Sequence, residues 1–308
     1  MRTISYDAGI GRFSWGGAVD ALRQGHRLPR AEIKDLFLGP ADETLLTRAA
    51  RIEGLGFGVK AATIRDGNKA FGVPTVHSTM MLFEPEFARP TAVIDGRLVT
   101  EIKTAADSAL GAMLLARKTS RTLLIVGSGT VARSLVAAYS ELFPELERIV
   151  LWSRRLDAAE ALIASLPAMR IPVTAVPSLR DAMAEADIIS SATTSRSPVL
   201  PGEWVRPGTH VDLIGAFKAD MREADDRLIA SGSLFVDSRE TTIGHIGELM
   251  MPIRDGVISE ADVRGDLYDL VPMAASPRQG DDEITVFKNG GGAHLDLMIA
   301  DYVNKLQG

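Results

Sequence analysis

The segment Thr122 to Arg155, TLLIVGSGTVARSLVAAYSELFPELERIVLWSRR, constrains this chain most, because strand, glycine turn, helix and second strand follow one another without a break. Thr122 to Val126 is a short, β-branched apolar run of the kind a buried parallel strand needs. It stops at Gly127-Ser128-Gly129, and an amphipathic run carrying Val131, Leu135, Val136, Tyr139 and Leu142 begins at once. The pattern is GxGxxA. Gly127 permits the tight turn, Gly129 lets a pyrophosphate approach the backbone, and Ala132 stands where a small residue lets helix and strand pack closely. Gly127, Ser128, Gly129, Thr130 and Val131 are therefore candidate dinucleotide-binding residues at a helix N-terminus; the bare alternative is a glycine turn with no ligand.

The second strand, Arg148 to Trp152, ends in Ser153-Arg154-Arg155, roughly 20 residues beyond the motif, where an NAD site carries an acid for the ribose 2′-hydroxyl. No acid is there. A hydroxyl followed by two guanidinium groups suits a 2′-phosphate, so NADP(H) is the preferred cofactor and NAD(H) the alternative, with Arg154 the stronger candidate of the pair.

Composition narrows the partners. A chain of 308 residues with 46% apolar and 24% charged residues has the length for two domains and an ordinary globular profile. A net charge of −6 supplies no basic stripe for nucleic acid or an anionic membrane. No apolar run reaches the length of about 18 residues that a membrane span needs, and MRTISYDAG lacks a signal-peptide core, so a cytoplasmic protein is expected. Without cysteine there is no disulfide or thiolate chemistry, and the five histidines show no ligand spacing, so no metal site is expected.

Along the first hundred residues, Met1 to Tyr6, Ile33 to Leu38, Thr44 to Ala49, Phe57 to Ile64 and Thr75 to Phe83 read as strands, and Ala18 to Gln24 as a short helix. Asp95-Gly96 predicts a two-residue hairpin between strands Thr91 to Ile94 and Arg97 to Lys103, completing an antiparallel meander. A helix with an alanine-rich face, Ala105, Ala109, Ala112, Met113 and Ala116, then runs from Thr104 to Lys118. After the glycine motif βα alternation continues: helices Asp157 to Leu166, Ser178 to Ala186 and Asp220 to Ala230, with strands Ile171 to Val176, Asp187 to Ala192, Thr209 to Gly215 and Leu234 to Asp237. Gly244 to Asp281 reads mostly as loop with short helices. Strand Ile284 to Lys288 and helix His294 to Lys305 follow. The fold class expected is α/β: a doubly wound parallel Rossmann sheet, residues 109–289, inserted into a β-rich α+β domain of residues 1–108 plus 290–308.

These pieces together resemble the ornithine cyclodeaminase and mu-crystallin family over nearly the whole chain. The resembling stretches are GVKAATI, GVPTVH, TAVIDGRLVTEIKTAADSALGAMLLAR, GSGTVA, GTHVDLIGAFKADMREAD and ITVFKNGGG. The resemblance implies an NAD(P) domain, a domain for substrate binding and dimerisation, a homodimer, and imine chemistry on a small imino acid. Fold alone does not choose among the family's activities.

By that resemblance Lys60, in GVK, holds the substrate carboxylate near the reacting imine. The residues agree, since an ammonium inside Val59-Lys60-Ala61-Ala62 is costly to bury without an anion; an outward-facing strand lysine is the plain alternative. Lys103, in EIKTAAD, stands where the family usually has arginine as the second carboxylate ligand; it keeps the charge and loses the planar fork. Thr75 and His77 fall in the segment the family places beside the substrate, and His77 can donate a proton near neutral pH or be an ordinary core residue. Asp212, toward the carboxyl end of an apolar strand, is a second candidate acid or a simple cap, and Thr193 and Thr194 border the nicotinamide or are loop hydroxyls. The cyclodeaminase branch has an aspartate where this chain has Phe217.

The reading is an NADPH-dependent reductase of cyclic ketimine acids, Δ1-pyrroline-2-carboxylate to proline and the six-membered piperideine homologue to pipecolate. Its catalytic set is Lys60, His77 and Asp212, and Lys60, Thr75 and Lys103 bind substrate. The alternatives are an ornithine cyclodeaminase and a mu-crystallin-like NADPH-binding protein without turnover.

Overall fold

The computed structural model describes residues 1–40 and 42–308, with Lys69 described by its backbone alone. Contacts gather the chain into two compact units, Met1–Ala106 with Gly292–Gly308, and Asp107–Gly291.

In the first unit, β1 (Arg2–Ile4), β2 (Glu32–Leu38), β3 (Glu43–Ile52), β4 (Gly56–Arg65), β5 (Val76–Phe83) and β6 (Pro90–Asp95) form one sheet in the order β1-β6-β5-β4-β3-β2. It is an antiparallel meander except that β1 runs parallel to β6. The register sets Arg48 opposite Lys60 and Lys60 opposite Met80, so these share a face with Ala50, Ile52, Ala62, Leu82 and Ile94. Helix Ala293–Lys305 lies on that face, so close over Gly58 that an added Cβ would meet Met80 and Leu297, and helix Trp15–Gly25 packs on it through Gly17 and Gly25. The other face carries Leu36, Leu38, Leu45, Phe57 and Met81; Leu36 is 54% and Leu38 53% exposed, so this apolar face is uncovered in the single chain.

The hairpin expected at Asp95-Gly96 does not form. Residues 97–103 open the helix Gly96–Leu115 instead of making a strand. Leu98, Val99, Ile102, Ala105, Ala106, Ala109 and Leu110 recur at helical spacing and are fully buried, and Asp95 Oδ1 accepts the Arg97 N–H at 2.8 Å as a cap would. Gly96 is not among the positive-φ glycines, which a type I′ turn requires. The strand expected over Met1 to Tyr6 is likewise cut short, because the Ser5 hydroxyl accepts from Ala8 N–H and starts helix Tyr6–Ile10.

In the second unit, β7 (Thr122–Val126), β8 (Arg148–Trp152), β9 (Val173–Ala175), β10 (Ile188–Ser191), β11 (His210–Leu213), β12 (Ser233–Val236), β13 (Val263–Gly265) and β14 (Thr285–Lys288) form an all-parallel sheet. The order is β13-β12-β14-β11-β10-β7-β8-β9. It reverses between β7 and β10, the switch point at which doubly wound sheets open a ligand crevice beyond their carboxyl edges. Fully buried Leu124, Val126, Ile189, Val211, Leu213, Leu234, Val236 and Val286 fill the layer between sheet and helices. The helix expected over Asp220 to Ala230 is reduced to Asp226–Ser231, because the N–H groups of Glu223 and Ala224 donate to the Glu248 carboxylate, 2.9 Å each, rather than to a helical turn. β13 and helix Gly247–Arg254 lie in the segment expected to be mostly loop.

Candidate active site and dinucleotide cleft

At the switch point the second unit opens a cleft of about 750 Å³. Gly127, Ser128 and Gly129 line it with Trp152, Ser153, Arg154, Arg155, Ala192, Thr193 and Thr194. Thr130 and Val131 open the helix Thr130–Leu142 and are not among the lining residues. Gly127 sits at φ 136°, where an added Cβ would lie 2.8 Å from the Ala192 carbonyl oxygen, while a Cβ on Gly129 would meet only open space. The helix therefore begins with free N–H groups facing an open cleft, and Gly129 offers it no side-chain cap. Arg154 and Arg155 are exposed and enter no ion pair among the described residues, so both guanidinium groups are available to an anion.

Behind the cleft wall lies a carboxylate the sequence reading missed. Glu223, fully buried, accepts hydrogen bonds at Oε1 from Ser191 Oγ at 2.6 Å and from both the N–H and the hydroxyl of Thr193 at 2.8 Å, while Oε2 takes the Gly215 N–H.

The first unit gathers the charges expected to meet a substrate. Lys60 on β4 and Lys103 on helix Gly96–Leu115 are 7% and 6% exposed. Lys60 Nζ donates to Asp296 Oδ1 at 2.8 Å, lies 2.7 Å from Oδ2, and touches Thr100 Oγ1 at 3.4 Å. Burial drives the Lys60 pKa down, and Asp296 opposes it. Burial pushes the Asp296 carboxyl up, but Lys60, Lys103 and Arg48 together outweigh it and hold it below the usual range. The anion that Lys60 needs is thus supplied by the protein itself. Lys103 has no hydrogen bond or ion pair among the described residues and acts on Asp296 at longer range, so two buried lysines share one carboxylate. Asp296 was missed although its spacing from Ile299 and Val303 places a charged residue within an apolar helical stripe.

Two expected catalytic residues are placed elsewhere. His77 is exposed on β5 opposite Thr63, and strand alternation turns it to the face away from Lys60 and Met80. Asp212 does not reach the cleft. It is fully buried inside β11, flanked by Ser190 and Phe287, and accepts from Ser190 Oγ at 2.6 Å. Burial raises its pKa to about 7 against the opposing pull of Ser190, Ser108 and Lys288. Thr75 precedes β5, half-buried, its carbonyl accepting from Arg65 N–H at 2.8 Å, and no hydrogen bond links it to either lysine. Phe217 is 58% exposed.

Residues 47–306 match the model of the ornithine cyclodeaminase/mu-crystallin family. The chain is 60% identical over 303 residues, 98% of its length and 96% of the relative's, to the Delta(1)-pyrroline-2-carboxylate reductase of Paracoccus denitrificans. Among solved structures, Delta(1)-pyrroline-2-carboxylate reductase of Thermococcus litoralis, in complex with NADH and L-proline, superposes with a TM-score of 0.92 at 26% identity, covering 99% of this chain and 97% of that one. An archaeal alanine dehydrogenase dimer with bound NAD gives 0.91 at 28% identity, covering 99% and 95%. With the family model spanning most of its length and the expected parallel sheet and glycine cleft in place, the chain belongs to the ornithine cyclodeaminase/mu-crystallin family.

Proposed function

We propose that this protein is an oxidoreductase that reduces Δ1-pyrroline-2-carboxylate to L-proline with NADPH, and accepts the six-membered Δ1-piperideine-2-carboxylate as well. The observation that carries the reading is the 60% identity, over 98% of the chain, to a relative of that name. The geometry agrees with it. Lys103, a buried cation with no hydrogen-bonded anion among the described residues, shares Asp296 with Lys60, and a substrate carboxylate would neutralise the surplus positive charge.

The roles then divide between the units. Residues 1–108 with 290–308 bind the substrate and form the dimer, and residues 109–289 bind the cofactor. Lys103 and Lys60 hold the carboxylate and fix the imine carbon in register. Lys60, hydrogen-bonded to Asp296 and lowered in pKa by burial, is the proton donor to the imine nitrogen, in place of His77 and Asp212. The bound nicotinamide supplies the hydride. Arg154 and Arg155, with Ser153, receive the 2′-phosphate, and Thr193 and Thr194 border the nicotinamide. The relatives solved with NADH and NAD make NAD(H) the competing cofactor. The exposed apolar sheet face, Leu36, Leu38, Leu45, Phe57 and Met81, is where two chains would pair. The site of action is the cytoplasm, in keeping with a chain in which no described helix is long and apolar enough to cross a membrane.

The test follows the absorbance of the reduced cofactor with NADPH and NADH against pyrroline-2-carboxylate, piperideine-2-carboxylate, pyruvate with ammonia, and ornithine with NAD. Reduction of a cyclic imine, fastest with NADPH, is the expected result. Ornithine turnover at a comparable kcat/KM would replace the reductase with a cyclodeaminase, an outcome that Phe217 disfavours because a phenyl ring offers a second ammonium no acceptor.

A further inference from the structure

The cleft of the second unit is crossed in a fixed sense by the strand order. β8 ends at Ser153 to Arg155, β7 at the glycine turn, and β10 at Ala192 to Ser195, with β7 between the other two. A dinucleotide whose pyrophosphate meets the glycine turn and whose adenosine ribose meets the β8 end must lay its nicotinamide half against the loop after β10. That loop is irregular backbone, and something has to hold it in place.

The holder is Glu223. One carboxylate oxygen collects Ser191 Oγ, the last residue of β10, together with the N–H and hydroxyl of Thr193, and the other takes the N–H of Gly215, just beyond β11. Four donors from two strand ends converge on one side chain with no exposure to solvent. Gly215 has no room for a side chain, since an added Cβ would fall on the Thr193 backbone, so the two strand ends close on each other around the carboxylate. Glu223 is itself fixed. Its N–H donates to Glu248 at 2.9 Å, and its carbonyl accepts from Val199 at 2.8 Å and Leu200 at 3.0 Å, Val199 being another lining residue of the cleft.

We propose that Glu223 is a positioning residue for the nicotinamide half of the cofactor: by tying Ser191, Thr193 and Gly215 together it sets the wall against which the ring rests, without touching the ring itself. The proposal rests on the cofactor reading above and deepens it. Glu223→Gln keeps the side-chain shape and one acceptor oxygen, but turns an amide N–H₂ toward one of the donors, so the loop loosens while the backbone bonds of residue 223 persist.

Glu223→Gln and Thr193→Val are compared with wild type in three measurements: affinity for 2′,5′-ADP, which carries only the adenosine end; affinity for NADPH; and kcat with its deuterium isotope effect from 4-deuterated NADPH. For Glu223→Gln, 2′,5′-ADP binding is unchanged, NADPH binding weakens, kcat falls roughly tenfold or more, and the isotope effect rises because hydride transfer has become the slow step. Thr193→Val moves in the same direction by less. Wild-type kcat and NADPH affinity in Glu223→Gln overturn the proposal, and so does a parallel loss of 2′,5′-ADP binding, which marks general collapse of the cleft. If Glu223→Gln does not fold, wild-type behaviour of Thr193→Val overturns it. If wild type reduces no imine, the functional reading fails while the two binding measurements still decide the role of Glu223.

Discussion

Lys60 and Asp296 form a buried ion pair, 2.8 Å from Nζ to Oδ1, between residues 236 positions apart, and the contact fastens β4 to the helix Ala293–Lys305. Breaking one side of such a pair strands the other charge, at a cost of about 3 to 5 kcal/mol. Lys60→Met should therefore lose stability as well as activity, and Lys60→Met combined with Asp296→Leu should recover much of the stability and none of the activity. Chemical denaturation of the single and double variants checks this. A fully stable single variant would show that the pair contributes no net structure.

Lys103 makes the contrasting case. With no hydrogen-bonded partner to leave behind, and Asp296 still held by Lys60, Lys103→Met should keep or slightly raise the melting temperature. A hydrogen bond to a charged group contributes about 1.5 to 3 kcal/mol, so KM for the imino acid should rise roughly ten- to a hundredfold with NADPH affinity unchanged. Wild-type kcat/KM would remove Lys103 from the carboxylate site.

At the β8 end of the cleft, Arg154→Ala should raise the KM for NADPH roughly ten- to a hundredfold and leave NADH nearly unchanged. Equal losses for both cofactors would exclude a 2′-phosphate contact. Preference of the wild-type enzyme for NADH would place this chain with the relatives solved with NADH or NAD.

Asp212 and Glu248 should draw stability down as pH rises from about 4 to about 7, against the opposite contribution of His210 and His294, whose imidazoles burial holds below the ordinary value. Asp212, with an ordinary value of 3.8, and Glu248, with 4.5, are each raised by burial to about 7, Glu248 also by Glu223, so over this range the folded chain binds protons that the unfolded chain has released. Their stabilisation is fully present below the unfolded values and lost through the folded ones. Asp212→Asn does not titrate, so its denaturation midpoint should climb relative to that of wild type between about pH 5 and about pH 8. An identical pH dependence in both proteins would assign the effect to other groups.

Leu36 and Leu38 test the assembly. Charges placed on the uncovered sheet face, as in Leu36→Glu with Leu38→Glu, should convert a dimer into folded monomers by light scattering with circular dichroism unchanged. A mass unaffected by the pair would direct the interface elsewhere.

What was legible in the chain follows from how local each signal is. Thr122 to Val126, Gly127, Gly129 and Ala132 carry strand, turn and helix within a few residues, and the cleft forms around them as read. Asp95-Gly96 carries a hairpin signal as strong, but it is overruled by the buried helical stripe from Leu98 to Leu110, which only tertiary packing makes decisive. His77 was misplaced because alternation gives two faces and the residues alone do not say which one meets the helices. Asp296 and Glu223 act on partners far along the chain, Lys60 for one and Ser191 with Thr193 for the other, and their spacing in sequence carries no sign of those partners.

The order of the parallel sheet has a consequence for synthesis. β14 lies between β11 and β12, hydrogen-bonded to both, so those two strands share no edge until residues 285–288 have left the ribosome. The first unit waits in the same way for the helix carrying Asp296. A nascent chain stopped short of β14 exposes two unpaired strand edges and an unanswered Lys60, the features that recruit chaperones and seed aggregates. Completion of both units therefore waits for residues 285–305, and mutations in that stretch that weaken β14 or the helix packing should reduce yield.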